Sequence, residues 1–513
     1  MDTTPEALDQ VLTQAALAAP TLAALSPASR AALLVSLARA LDSDRDGLIE
    51  IAERETGLTR ARLSGEVTRT ATQLRLFADA AILGAHLDVR IDEFDPEFAL
   101  GERPDLRRTH VPVGPVLNFA ASNFPFAFSV LGGDSASILA AGCPLVVKAH
   151  SGHPALSDAT AAVAQRVIAG LNLPAGTLQV IHGQRAGVTA LKDARIHAGS
   201  FTGSTHGGRI LADIAAARPA PIPFYGELGS VNPVFITREA IAERGALLAP
   251  QYLASVSGSA GQLCTKPGLV FAAVNDDFIR SLVAAASGSG SGSASAPSAE
   301  HRMLGPRIAD AYRVGLHEVL AIDGVEPLVS GSIRIDEHGD GWVTPTIVRV
   351  TLDTFRAHRA LLAEELFGPF SVVVDVPEDT DLAPLVGEFV TGTLTGTIHL
   401  SAGERSGQTE LRPALEALIA ELTAHAGRVV FDGWPTGVAV TPAQQHGGPW
   451  PATTNDASTS VGTGALSRFL RPVAFQNAPS AFLPPALQDE NPLGIPQARS
   501  AAGQSLSWGR AVG

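Results

Sequence analysis

Between Val111 and Ala217, short apolar runs alternate with helical stretches, and that rhythm constrains the chain more than any other feature of it. Val116-Leu117-Asn118-Phe119, Leu145-Val146-Val147, Leu178-Gln179-Val180-Ile181 and a run ending at Phe201-Thr202 have the length and apolar content of buried strands. Ala155 to Ile168 is long enough to cross over between two of them as a helix, and Arg209 to Ala217 continues the rhythm. The spacing predicts βαβ units and a parallel, doubly wound sheet whose ligand sits at the carboxyl ends of the strands. A second α/β unit is predicted from Val234-Phe235-Ile236 through Leu269-Val270-Phe271, Ser371 to Val374 and Arg428 to Phe431.

Helices are expected before this region. Ser26 reads as an N-cap with Pro27 behind it, and Leu34, Leu37 and Leu41 line one face of the helix that follows. Ala284 to Ala299 contains only Ala, Ser, Gly and Pro and reads as a flexible surface loop inside the second unit. Arg471 to Gly513 holds six prolines and little periodicity, which suggests an extended arm lying over another surface. At roughly 100–200 residues per domain, 513 residues suggest two to four units. With 45% apolar and 17% charged residues, disorder as the main state is excluded.

The charge balance limits the partners. The chain carries 51 acidic residues against 37 Lys and Arg, a formal net charge of −14, and no basic run that would neutralise phosphates, so nucleic acid and anionic membranes are poor partners. Residues 1–20 lack the basic start and apolar core of an export signal, and no apolar run is long enough to span a bilayer, so a cytoplasmic protein is expected. Two cysteines, Cys143 and Cys264, cannot make a disulfide framework. His150 and His153 are separated by Gly152 and followed by Pro154, with no acid or Cys nearby, so no metal is expected there.

Three places could carry chemistry, and each has an ordinary alternative. No Gly-x-Gly-x-x-Gly follows the strand at Val116. Phe201-Thr202-Gly203-Ser204-Thr205-His206-Gly207-Gly208 ends a strand and opens a helix, where free amides suit a pyrophosphate, although Gly/Ser turns before helices are common. Cys264 stands in the small-residue stretch Ser257-Gly258-Ser259-Ala260-Gly261-Gln262-Leu263-Cys264-Thr265. A lone Cys is usually a buried small hydrophobe, the reading taken for Cys143, but the flanking glycines would let a substrate approach Cys264. Glu227, in Phe224-Tyr225-Gly226-Glu227-Leu228-Gly229, could act on water for such a thiol, or be a solvated turn residue.

Together these residues form a pattern. Asn123 in Ala121-Ser122-Asn123-Phe124-Pro125, Lys148 in Val146-Val147-Lys148, Phe201-Thr202-Gly203-Ser204, Glu227-Leu228-Gly229, Gly261-Gln262-Leu263-Cys264-Thr265 and Glu364-Glu365-Leu366-Phe367-Gly368-Pro369 resemble, in order and spacing, the motifs of the aldehyde dehydrogenase superfamily. Arg103 to Arg108, Gly132-Gly133-Asp134-Ser135-Ala136, Arg218 to Pro223, His446-Gly447-Gly448-Pro449-Trp450-Pro451-Ala452-Thr453, Ser460-Val461-Gly462 and Arg468 to Val473 resemble the branch that oxidises 2-oxoglutarate semialdehyde (2,5-dioxopentanoate).

The resemblance implies an α/β fold. Residues 1–228 would hold the N-terminal helices, a Rossmann-type cofactor domain and part of a bridging arm near 90–112; 229–440 would form the catalytic domain; 441–513 would return to the cofactor domain and end in a small β oligomerisation arm. It implies a non-acylating NAD(P)-dependent enzyme in which Cys264 attacks the aldehyde, Asn123 and the Cys264 amide hold the oxyanion, and Glu227 activates water against the thioester. Lys148 resembles the adenosine-ribose contact, Gly203, Ser204 and Gly208 the pyrophosphate loop, Glu365 the acceptor for the nicotinamide ribose, and Phe367 its packing partner. Many NAD-preferring relatives carry an acid where Ser151 stands, so NADP is expected to serve at least as well as NAD, with Arg185 a further phosphate contact or merely a surface Arg.

Phe124, Phe128 and Leu131 would share one face of a helix after Asn123 and line a substrate tunnel, or be plain core, and Trp450 would form another wall. A homodimer or homotetramer is implied. The alternatives are the same chemistry on a medium- or long-chain aldehyde, a cofactor-independent thiol esterase, and a cofactor-binding protein without turnover.

Overall fold

The computed structural model describes residues 2–288, 299–407 and 410–510. Its N-terminal third begins with α1 (Pro5–Ala24), α2 (Pro27–Ser43), α3 (Arg45–Thr56) and α4 (Arg60–Leu83), of which α1, α2 and α4 start where Thr4, Ser26 and Thr59 accept a first-turn amide. Leu34, Leu37 and Leu41 are buried, as the periodicity of α2 requires. The chain then runs through the antiparallel pair β1 (Val89–Asp92) and β2 (Leu106–Pro112).

Five parallel strands follow: β3 (Val116–Phe119), β4 (Leu145–Lys148), β5 (Leu178–Ile181), β6 (Ala198–Thr202) and β7 (Phe224–Glu227). Their order is β5-β4-β3-β6-β7, and α5 (Gly133–Ala141), α6 (Pro154–Gly170), α7 (Gln184–Lys192) and α8 (Thr205–Ala216) lie between them in sequence. Strand order reverses between β3 and β6, so the loops leaving those strands flank the crevice where such sheets take a ligand. Asn123 lies in the first of these loops and Ser204 in the second.

The second unit contains β8 (Val234–Ile236), α9 (Arg238–Ser257), β9 (Leu269–Ala272), α10 (Asp276–Ala286), β10 (His301–Arg302), β11 (Glu326–Val329), β12 (Ile333–Ile335), β13 (Gly341–Val343), β14 (Thr346–Thr351), β15 (Phe370–Asp375), β16 (Thr393–His399) and β17 (Ala426–Phe431). Seven strands form a sheet in the order β11-β14-β15-β9-β8-β16-β17, parallel except for β11, while β10, β13 and β12 make a small antiparallel sheet. The start of the stretch expected as a flexible loop is helical. Ala284, Ala285 and Ala286 complete the last turn of α10, and 289–298 lie outside the described residues.

The C-terminal segment is more regular than its prolines implied. β18 (Leu470–Gln476) pairs along the whole of β2, and β19 (Gln497–Ser500) pairs in parallel with β1, giving a four-stranded sheet β18-β2-β1-β19. Backbone pairing supplies the order that side-chain periodicity lacks. Arg103 donates to the carbonyls of Glu93, Ser500 and Ala501, and Arg107 binds Asp105, Asp489 and the carbonyl of Leu487. One apolar core lies between α2, α4, α5, α6 and the five-stranded sheet, and two more line the seven-stranded sheet. Among the described residues no helix is long and apolar enough to cross a membrane.

Candidate active site

Each candidate residue arrives on a different element. Glu227 ends β7, and its neighbours fix a distant loop beside it: Leu228 donates to Ala452 O at 2.8 Å and Thr454 donates to Gly226 O at 3.0 Å. Cys264 lies in the connection between α9 and β9. There Ser259, Ala260 and Gly261 take positive φ values of 54°, 55° and 66°, unusual for the two that are not glycine. Gly261 is required, because a Cβ would lie 2.3 Å from the Gly368 carbonyl carbon. Asn232 Nδ2 donates to Cys264 O at 2.8 Å and to Lys266 O at 3.0 Å, which pins the backbone around the thiol. Asn123, buried, donates from Nδ2 to Gln262 O at 3.1 Å, so the loop after β3 closes onto the cysteine loop.

The thiol meets a group the motif reading left without a role. Cys264 Sγ is 3.5 Å from His446 Nε2, and His446 Nδ1 is 3.2 Å from Glu227 Oε2. Ser460 Oγ donates to the same carboxylate oxygen. Burial pushes the Glu227 carboxyl up to about 7, with the Ser460 hydrogen bond opposing. Burial holds His446 down to about 3, helped by the positive charges of Arg428 and Arg69, so the imidazole is neutral, and its Nδ1 stands beside Glu227 without a hydrogen bond or an ion pair among the described residues. The Cys264 thiol is raised by loss of water and then by the charge on Glu227, with Arg69 opposing. Glu227, Cys264 and His446 bring a carboxylate oxygen, the sulfur and a ring nitrogen within 4.8 Å of one another. His150 and His153 are committed to the backbone instead, accepting from Gly152 N and donating to Ala121 O.

The segment after Asn123 departs from expectation. Residues 124–131 form consecutive turns and helix α5 starts only at Gly133, because the chain folds back so tightly that Gly133 donates to Ala127 O, and a Cβ on Gly132 would lie 2.3 Å from that oxygen. Buried Glu66 of α4 accepts the amides of Phe126 and Ala127 at 2.8 and 2.9 Å and holds this turn. Phe124 and Phe128 still meet, with ring centroids 5.5 Å apart, but Leu131 turns into the N-terminal core, so the three do not form one wall. Trp450 is 44% exposed, and its ring lies 5.5 Å from the Arg209 guanidinium of α8 rather than against the Phe124–Phe128 pair.

Two arginines stand over that pair. The Arg62 guanidinium lies 4.7 Å and that of Arg69 5.4 Å from the Phe124 ring centroid, and Arg69 is 5.6 Å from that of Phe128. Arg62 also donates to Asn123 O at 2.8 Å and to Ser259 Oγ. Arg69 Nε is buried without a hydrogen-bond partner among the described residues, and both cations interact electrostatically with Cys264.

The candidate cofactor residues gather at the carboxyl edge of the five-stranded sheet. Lys148 ends β4 beside Ile181 of β5, and its stem crosses Gly187, where a Cβ would lie 2.9 Å from Lys148 Cγ. Ser151 and Arg185 leave the same two strands and are exposed, and Arg185 makes no ion pair among the described residues. Ser204 caps α8 by accepting from Gly207, which leaves the Thr205 and His206 amides in a first turn where a helix supplies no acceptor. Gly203 is exposed beside the Phe201 ring, whereas buried Gly208 is tight against Leu228, where a Cβ would lie 2.1 Å from Cδ2, so its smallness serves packing. Glu365 faces the Gly229–Ser230 backbone, close enough that a Cβ on Gly229 would lie 2.5 Å from Oε2. Burial raises its carboxyl, with Lys266 opposing; Lys266 Nζ donates to Phe370 O at 2.6 Å. Phe367 packs against the N-terminal core.

Sequence reasoning missed His446, Ser460, Arg62, Arg69, Asn232 and Lys266 as site residues. His446 and Ser460 carried a signal, since both lie in stretches that marked the branch resemblance. Arg62 and Arg69 carried none.

Comparison with known proteins identifies a family. The profile described as "Aldehyde dehydrogenase family" matches residues 1–392. The chain is similar to "Alpha-ketoglutaric semialdehyde dehydrogenase 2" of Azospirillum brasilense, 41% identical over 475 residues that cover 92% of this chain and 87% of that protein. It is similar to "Alpha-ketoglutaric semialdehyde dehydrogenase" of Acinetobacter baylyi, 39% identical over 471 residues that cover 91% of this chain and 85% of that one. Among solved structures, aldehyde dehydrogenase 21 of Physcomitrella patens, in complex with the reaction product succinate, superposes with a TM-score of 0.74 at 19% identity, covering 93% of this chain and 92% of that one. That degree of identity speaks to the fold alone.

Proposed function

The chain belongs to the aldehyde dehydrogenase family, and on that premise we propose that it oxidises 2-oxoglutarate semialdehyde to 2-oxoglutarate, with NADP as the preferred hydride acceptor. The observation that carries the proposal is the convergence of Cys264, Asn123 and Glu227 on one cleft whose approach is flanked by Arg62 and Arg69. A keto-acid aldehyde brings a carboxylate into that cleft, and a chain of net charge −14 needs a local cation to receive it. Arg69, with an unbonded Nε over the Phe124 and Phe128 rings, suits that carboxylate. The two semialdehyde dehydrogenases that the chain resembles over nine-tenths of its length support the same substrate.

In this mechanism the Cys264 thiolate bonds to the aldehyde carbon, and the carbonyl oxygen takes the electron pair. Asn123 Nδ2 and the Cys264 amide donate to that oxygen, a preorganised pair of which each member contributes about 3 to 4 kcal/mol. A bound NADP would supply the acceptor for the hydride that the tetrahedral carbon must lose. The acyl group then remains on Cys264 as a thioester, and Glu227 takes a proton from the water that cleaves it. A carboxylate at this point favours hydrolysis over transfer to a carrier thiol. A thiol nucleophile also suits a reducing compartment such as the cytoplasm.

The chain's residues fit NADP: Lys148, Ser204 and the first-turn amides of α8 would hold the adenosine ribose and pyrophosphate, and Glu365 and Phe367 the nicotinamide ribose. Gly187 and Gly229 leave the space for Lys148 and Glu365 that a larger residue would fill. Ser151 and unpaired Arg185, exposed on one edge, would admit a 2′-phosphate. We read the four-stranded sheet as the contact between copies in a homodimer or homotetramer, because Phe94, Leu100, Phe482, Leu506 and Trp508 are exposed in the segments around it.

Reduced-cofactor formation by the purified protein tests the proposal, with 2-oxoglutarate semialdehyde, glutarate semialdehyde and a medium-chain aldehyde, each with NADP and with NAD. The dioxo acid with NADP should give the highest kcat/KM. Losing one charged contact of about 1.5 to 3 kcal/mol, Arg69→Ala should raise KM for the acidic aldehydes roughly 10- to 100-fold and leave the neutral one little changed. A neutral aldehyde that wins, or an acidic one indifferent to Arg69, would overturn the substrate assignment. Ser151→Glu should shift preference toward NAD, and product formed without any cofactor would point to an esterase.

A further inference from the structure

We propose that His446 carries a proton between Cys264 and Glu227, converting the thiol to the attacking thiolate by moving its proton onto the carboxylate. His446 has this role only if Cys264 is the nucleophile, as proposed above. The imidazole spans the two groups: Nε2 is 3.5 Å from Cys264 Sγ, and Nδ1 is 3.2 Å from Glu227 Oε2. A neutral ring offers one donor and one acceptor nitrogen. With the acceptor toward the S–H, the donor faces the carboxylate. Nδ1 of His446 and Oε1 of Glu227 make no aligned hydrogen bond among the described residues, so the ring is not committed elsewhere, and catalytic hydrogen bonds commonly align only when substrate is bound.

The charges around the ring decide how it works. Arg69 and Arg428 face His446, Glu227 and Cys264 flank it, and Asp134, Arg468 and Arg69 act on Glu227 from behind. A buried imidazole beside two guanidiniums cannot hold a second proton, so one taken at Nε2 must leave from Nδ1, where Oε2 waits. Ser460, donating to that oxygen, and the Gly226 and Leu228 hydrogen bonds to 452–454 hold Glu227 in place.

The proton count closes. The S–H bond breaks as Nε2–H forms, and the Nδ1–H bond breaks as Oε2–H forms. The negative charge passes from carboxylate to sulfur, and the ring stays neutral with Nε2–H facing the thiolate. The thiolate attacks the aldehyde, hydride leaves to the nicotinamide cofactor, and Glu227 then releases its proton to solvent. In deacylation Glu227 takes a proton from water as the water oxygen bonds to the thioester carbon, and the C–S bond breaks to return the thiolate. The carboxylic acid product ionises, so a turnover releases two protons, as oxidation of an aldehyde by NADP and water requires.

Alkylation of Cys264 by iodoacetamide as a function of pH, in the full-length protein without substrate, tests the relay, with Cys264→Ala as the blank for Cys143. The unmodified protein should alkylate readily at neutral pH although burial and the Glu227 charge raise the thiol, because the relay passes its proton to the carboxylate. His446→Phe and His446→Gln should each slow alkylation at neutral pH at least tenfold and move the midpoint upward; Gln can hydrogen-bond but cannot pass a proton through. Glu227→Gln provides a test of sign that does not depend on the His446 variants folding. If Glu227 only repels the thiolate, removing its charge speeds alkylation; if it receives the proton, removing it slows alkylation. Faster alkylation in Glu227→Gln, or unchanged profiles in both His446 variants, overturns the relay. Turnover that survives Cys264→Ala overturns instead the catalytic assignment on which the relay rests.

Discussion

Cys143 and Cys264 are both free thiols close to glycines in the sequence, yet their surroundings have little in common. Cys143 is 0% exposed among Leu, Ile and Phe side chains; its thiol donates to Phe469 O at 3.4 Å, and burial pushes it up to about 11. Cys264 is partly exposed, and its thiol, also raised by loss of water, faces His446, Glu227 and the field of Arg69 and Arg62. Burial alone raises both thiols and activates neither. What separates the two is that the proposed proton acceptor and oxyanion donor stand near Cys264 alone.

The sharpest way to break the comparison is to remove each sulfur in turn. Cys264→Ala should lower kcat by about four orders of magnitude or more, the scale of losing a nucleophile. Equal losses from the two cysteines would show that the difference in surroundings is irrelevant to turnover. The next effect belongs to the oxyanion donor. Asn123→Ala should cost about two to three orders of magnitude in kcat with little change in KM, because in the proposed mechanism Asn123 acts on charge that appears only in the transition state. A KM effect alone would place Asn123 in binding rather than chemistry.

The carboxylate that distinguishes the Cys264 cleft should show in the pH profile. Burial raises Glu227 to about 7, so the proposed base is mostly ionised above that pH, and kcat should fall about tenfold per unit well below it. The stability sign is opposite. A carboxyl whose folded value lies above its unfolded one binds a proton preferentially in the folded state, so its contribution is present below the unfolded value and fades as pH rises through about 7. Glu227→Gln should flatten the limb and let the thioester accumulate, seen as covalent acyl-enzyme by mass spectrometry. A profile still rising through neutral pH in that variant would assign the limb to another group.

How far the sequence revealed this contrast depends on where the information lies. The strands from Val116 to Thr202 were legible because a buried parallel strand must be continuously apolar, and the cap at Ser26 because its hydroxyl has one local task. Asn123, Cys264 and Glu227 were legible through their motifs. The helix expected over Phe124 to Leu131 was not there: the i, i+4, i+7 spacing is real, but the long-range grip of Glu66 and the tight Gly132 turn outweigh it. Arg62, Glu66 and Arg69 share a helix face that looks, from spacing alone, like a solvated stripe; only packing against the Asn123 loop makes it part of the cleft. His446 stands 182 residues from Cys264, so no local pattern could join them.

The smallest expected effect tests the other half of the comparison. Cys143 sits in the core formed by α2, α4, α5 and α6, and the Arg30 guanidinium, beside Gly142, is the charge acting on it. None of the proposed reacting groups touches it. Cys143→Ala deletes one buried sulfur and leaves a small void, so it should cost about 1 kcal/mol of stability and lower Tm by about two degrees, with kcat and KM unchanged. Cys143→Ser should cost more than Cys143→Ala, because the hydroxyl is harder to desolvate and the 3.4 Å contact with Phe469 O is long for an O–H donor. If instead Cys143→Ala impaired turnover at unchanged Tm, the N-terminal core would be coupled to the cleft through α4, which carries both Arg62 and Arg69, and the division between a structural and a reactive thiol would have to be redrawn along that helix.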